Sequence, residues 1–159
     1  MQAFASKTVS IEMGGKEWAF ALSPLPLNVY DTLEEELPTP KPPVSGFFRN
    51  KKNQLEYDNR TGKPIPIEDK TDPAFRKELQ EIQQLQSVAL IIRALENDPN
   101  ISFEAVREKF KTAREYYQAV RKEMLPIFSF KTFSKLLDEV GKMTAINSED
   151  IEEAKKSFL

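Results

Sequence analysis

"DPAFRKELQEIQQLQSVALIIRALENDP", residues 72–99, is the stretch that decides the fold class of this chain. Asp72 can cap a helix, and Pro73 falls at the first helical position, where a missing N–H is harmless. Phe75, Leu79, Ile82, Leu85, Ala89, Ile92 and Leu95 then recur at steps of three or four, which is one face of a helix. Asp98-Pro99 ends the pattern, because the residue before proline is pushed out of the helical region.

Downstream the same period continues. Ser102 can cap a second helix, with Phe103, Val106, Phe110, Ala113, Tyr117, Val120 and Met124 as a heptad seam. That seam predicts packing against the Phe75–Leu95 face, or against a second chain. Leu125-Pro126 stops it. A third helix is predicted from about Phe130 to Val140, with Phe133, Leu136, Leu137 and Val140 inward and Gly141 as the residue just past its end. A last short helix is predicted after Asn147 or Ser148, with Ile151, Ala154 and Phe158 as its stripe. The connections are short, so the fold class predicted is mainly α, an antiparallel bundle of about four helices.

Upstream the period changes to two. Val9, Ile11 and Met13 alternate with polar residues, and so do Trp18, Phe20 and Leu22. Gly14-Gly15 between them tolerates the positive φ of a tight turn, so a β-hairpin is predicted with one apolar face. A lone hairpin is marginal in water. "NVYDTLEEEL" offers a covering helix, with Asn28 as cap and Val29, Leu33 and Leu37 on one face.

"ELPTPKPPVSGFF", residues 36–48, joins the two regimes and has four prolines in six residues. It predicts an extended, polyproline-like strap laid along the bundle, with Val44, Phe47 and Phe48 available for burial. A docking peptide, using the P-x-x-P at Pro40–Pro43, and a free linker are the competing readings. Beyond it, "DNRTG" is a turn between two short extended runs, Gln54–Tyr57 and Pro64–Ile67. Asn59-Arg60-Thr61 matches a glycosylation triplet, but it reads better as part of that turn. The predicted organisation is 1–37 hairpin and short helix, 38–71 strap and 72–159 helices, in one folded unit.

The 159 residues are 40% hydrophobic and 30% charged, with a formal charge of −2. That fits a globular chain, and near-neutrality argues against a global pull towards nucleic acid. There is no cysteine and no histidine, which removes disulfides, thiol nucleophiles, Cys/His zinc and imidazole chemistry. No secretory leader is visible at the N-terminus, and Val88–Ile92 is far too short to span a membrane. A soluble intracellular protein without a cofactor is the expectation.

The carboxylate groups Glu34-Glu35-Glu36 and Glu149, Asp150, Glu152, Glu153 are consecutive and read as solvated helix positions rather than a catalytic pair. No phosphate loop or nucleophile motif occurs, and "MGGKEW" is a hairpin turn. "FFRNKK", Phe47–Lys52, joins two aromatics to Arg49, Lys51 and Lys52, a composition that can bind single-stranded nucleic acid. The Ser102 helix carries Arg107, Lys109, Lys111, Arg114, Arg121 and Lys122, but Glu104, Glu108, Glu115 and Glu123 interleave as on a solvated face. Eleven phenylalanines are more than the seam needs, so some are candidate exposed anchors: Phe47, Phe48, Phe128 and Phe130.

Taken in order, the hairpin and short helix, the "ELPTPKPP" run, the Asp-Pro helix start and the closing "INSEDIEEAKKSFL" resemble the tail assembly chaperones and small tail-assembly proteins of long-tailed bacteriophages. The resemblance covers most of the chain as an order of elements. It implies a helical, non-enzymatic protein of the host cytoplasm. Such a protein holds the tape-measure protein while tail-tube subunits polymerise round it, with self-association as an added expectation, and leaves before the virion is complete. The region before residue 72 is longer than a minimal helical chaperone needs. This makes a minor structural protein of the virion, a connector or tail-tip component, the alternative. A small nucleic-acid-binding regulator is the second alternative.

Overall fold

The computed structural model describes residues 6–143, 152–153 and 155–157. Helix dominates it. The long helix is present as α2, Pro73–Leu95, and Asp72 caps it by accepting a hydrogen bond from the Phe75 N–H at 2.8 Å. The chain divides into two compact units, one of Met1–Pro38 with Glu81–Leu159 and one of Thr39–Gln80. The boundary therefore falls within α2.

In the larger unit, β1 (Lys7–Met13) and β2 (Lys16–Leu22) form the expected antiparallel hairpin, with Val9 opposite Phe20 and Ile11 opposite Trp18. Gly14 and Gly15 have φ of 59° and 78°, the left-handed pair that a two-residue hairpin turn requires. Val9, Ile11, Phe20 and Leu22 are buried, but Trp18, read as part of the same apolar face, is 51% exposed near the hairpin tip. α1 (Val29–Glu36) follows, and Val29, Leu33 and Leu37 all enter the core.

The seam helix begins later than its heptads predict. α3 is Ala113–Met124, preceded only by a short 3₁₀ turn at Arg107–Lys109, so Ser102 caps nothing. Two sequence features explain the correction. Thr112 and Glu115 complete a reciprocal capping box, whereas Ser102 lacks a Glu or Gln three residues on. Ile101 to Ala105 also alternates apolar and polar, and Ile101, Phe103 and Ala105 are the half-buried positions. Glu123 holds this extended run by accepting from the Glu104 and Ala105 N–H groups, both at 2.8 Å. Thr112→Ala should therefore lower stability by about 1 kcal/mol, measurable by chemical denaturation.

α4 is Phe130–Met143, started by the Ser129 hydroxyl, which accepts from the Thr132 N–H at 3.2 Å. It runs through Gly141 instead of stopping there, because Lys142 pairs with Glu139 and Met143 still packs against the core. A glycine inside a helix costs about 1 kcal/mol relative to alanine, which such packing offsets. Phe133, Leu136, Leu137 and Val140 are fully buried, as their spacing requires. The expected last helix has its stripe, Ile151, Ala154 and Phe158, outside the described residues. Glu152, Glu153 and residues 155–157 are helical.

One core joins the hairpin to the helices. Phe20 meets Phe128 edge-on at 5.9 Å, and α4 reaches β1 through the Lys7–Glu139 ion pair and a Lys135 bond to the Ser10 carbonyl. Asp98, beyond the end of α2, is buried and accepts from the Ala21 N–H at 2.8 Å and the Asn100 N–H at 2.9 Å. It ties β2 to the α2 terminus.

The unit Thr39–Gln80 is built differently. β3 (Val44–Phe47) pairs antiparallel with β4 (Pro66–Glu68), and bridges join Arg49 to Leu55 and Tyr57 to Pro64. The run after the prolines is thus a strand of a small ribbon. Pro43 accepts from the Asp69 N–H at 2.8 Å, so its partner is the returning strand.

Candidate partner-binding ribbon

Two short turns shape the ribbon, and each is closed by its own side chain. Asn50 accepts from the Lys52 and Gln54 N–H groups at 2.9 and 3.0 Å, and Asn53 takes φ of 60°. Asp58 accepts from the Arg60 and Thr61 N–H groups at 2.7 and 3.1 Å. Such Asx turns fix a loop without any buried core. The triplet Asn59-Arg60-Thr61 is part of that second turn.

No residue from Thr39 to Gln80 is buried. Val44, expected to be covered, is 55% exposed, and Phe47 and Phe48 are each 47% exposed. Tyr57 and Ile67 join them on the surface. Within this unit, backbone pairing rather than side-chain burial satisfies the segment. Lys41, Arg49, Lys51, Lys52, Arg60 and Lys63 stand against only Glu56 and Asp58 between residues 41 and 66, while the whole chain carries −2. Charge is therefore concentrated, which the near-neutral total concealed.

The other two candidate anchors separate. Phe128 is buried against Phe20 and is a core residue, not a surface anchor. Phe130 is exposed, with Leu125 and Ile127 exposed nearby in sequence. The sequence reading missed Tyr57 and Ile67. Their signal was the period-two pattern around the "DNRTG" turn.

A cavity of about 500 Å³ in the larger unit is lined by Glu36, Arg93, Phe103, Tyr116 and Tyr117 among others. Glu36 is half-buried rather than fully solvated as its run suggested. It accepts from Arg93 Nη2 at 2.6 Å and from the Tyr117 hydroxyl at 2.8 Å, so it links α1, α2 and α3. Burial and the Glu36 carboxylate push the Tyr117 hydroxyl up to about 12. A tyrosine whose proton is held more tightly in the folded state contributes stability that is full below pH 10. That contribution fades as pH rises from about 10 through 12. Tyr116 is also pushed up, first by burial and then by Glu108, so absorbance titration should show two of the four tyrosines ionising late, and Glu36→Gln should bring Tyr117 earlier. Glu36, Arg93 and Tyr117 thus satisfy one another, and Glu96 and Arg107 also line the cavity.

Among the described residues no cluster of metal-capable side chains occurs, and no helix is long and apolar enough to cross a membrane. Comparison with known proteins finds no matching family, no matching curated protein and no matching solved structure.

Proposed function

We propose that this chain is a non-enzymatic binding protein of bacteriophage tail assembly, a chaperone that holds the tape-measure protein while the tail tube polymerises. The observation that supports the binding role is the Thr39–Gln80 unit, where Val44, Phe47, Phe48, Tyr57 and Ile67 are exposed on a backbone held by strand pairing and turn hydrogen bonds. Exposed aromatics held on a rigid element lose little entropy on docking and are the residue type that dominates interfaces. The tail-assembly part of the proposal rests on the order of elements along the chain. On this reading α2, α3 and α4 form an antiparallel bundle that carries the ribbon, and the protein works in the host cytoplasm.

The same rigidity favours one second reading, a minor structural protein that stays in the virion as a connector or tail-tip component. Affinity capture of the tagged chain from phage-producing cells, read by mass spectrometry, separates the two. Recovery of a very long, helix-rich tape-measure protein, with none of this chain in purified particles, is the result expected. Persistence in particles would replace the chaperone by the structural component. Recovery of nucleic acid alone, or of nothing, would end the phage reading.

A further inference from the structure

We infer that the ribbon docks an acidic amphipathic segment of its partner protein, taking apolar side chains on Phe47, Phe48 and Tyr57 and carboxylates on Lys51, Lys52 and Lys63. The inference rests on the ribbon being the binding surface, and it names the chemistry of what binds. Three observations carry it.

The first is charge. Lys51, Lys52, Arg60 and Lys63 are exposed and form no ion pair among the described residues. Of the two carboxylates between residues 41 and 66, Asp58 already accepts two N–H groups of its own turn. Among the described residues these cations therefore have no carboxylate within ion-pair distance, and a partner rich in Asp or Glu supplies one.

The second is the kind of apolar surface. Besides the rings, aliphatic Val44 and Ile67 are exposed on the paired strands β3 and β4. Stacked bases cover rings but leave aliphatic side chains wet, whereas a row of apolar side chains covers both. This favours a protein segment over single-stranded nucleic acid.

The third is that the cations are placed. Lys52 lies within the Asn50-closed turn, its N–H donating to Asn50 at 2.9 Å, and Lys63 follows the Asp58-closed turn, whose Asp58 N–H donates to the Lys63 carbonyl at 2.8 Å. Their backbones need no ordering when a partner arrives, so less of the contact energy is lost on docking.

Fluorescence anisotropy with the full chain tests this. The probes are an amphipathic peptide about 20 residues long with Leu on one face and Glu on the other, its Lys counterpart, a scrambled Glu peptide, and an oligo-dT of similar length. The Glu peptide should bind about tenfold or more tighter than the Lys and scrambled peptides, and Lys51→Glu/Lys52→Glu should remove most of that advantage. These side chains are exposed, and circular dichroism will confirm that the variant is folded. Preference for oligo-dT would overturn the inference in favour of nucleic acid. Equal binding of the peptides, or binding unmoved by the lysine reversal, would overturn it outright. Either failure leaves tape-measure capture untouched, because capture can proceed through another surface.

Discussion

Phe133→Ala should lower the unfolding free energy by about 3–5 kcal/mol, the largest single-residue effect expected in this chain. Phe133 is fully buried on α4, in the same core as Leu136, Leu137 and Val140. Truncation removes the transfer free energy of the ring and leaves a cavity that its neighbours fill only in part. A domain of this size is stable by about 5–15 kcal/mol, so the variant should be near the edge of folding at 37 °C. Urea denaturation at unchanged slope will measure it. Phe130→Ala is the control three residues earlier on the same helix. Its ring is exposed, and the change should stay within about 1 kcal/mol.

Asp98→Ala should come second, at about 2–3 kcal/mol. The carboxylate is buried and holds two backbone N–H groups, one in β2 and one in the turn after α2. Alanine leaves the part-buried Ala21 N–H without its acceptor. Asp98→Asn keeps an oxygen there and should lose less. The local signature is hydrogen exchange at the Ala21 amide, which should rise in the alanine variant even at temperatures where the helices stay protected.

The elements of the larger unit were legible because their periods are unambiguous. α2 and α4 have apolar steps of three and four over more than two turns, and the hairpin has period two around Gly14-Gly15. Where two local signals competed, the heptad count misled. Phe103, Val106 and Phe110 fit a helical seam by spacing, yet the strong capping box at Thr112 and the alternation of Ile101–Ala105 prevailed. Asp98 was read as a helix stop. Its role in holding β2 depends on two segments distant in sequence, and no local pattern encodes that. Glu36 was hidden in the same way, since Arg93 and Tyr117 come from later helices.

The candidate site was half legible. "FFRNKK" marked Phe47 and Phe48 through the adjacency of aromatics and cations, and both are exposed. Phe128 was misplaced because its partner Phe20 lies far upstream. The turn between Gln54–Tyr57 and Pro64–Ile67 was read, but prolines and short runs concealed the further strand, Val44–Phe47, that pairs with residues 66–68.

The central claim is that the ribbon's aromatics serve binding and not folding. Phe47→Ser/Phe48→Ser tests it most directly, with thermal unfolding and capture of the partner protein measured on the same preparation. The melting temperature should move by no more than about 2–4 °C, the shift that accompanies a loss of about 1 kcal/mol at this size, while capture is lost. A large fall in melting temperature with capture retained would show that the two rings hold the fold together and that the partner binds elsewhere.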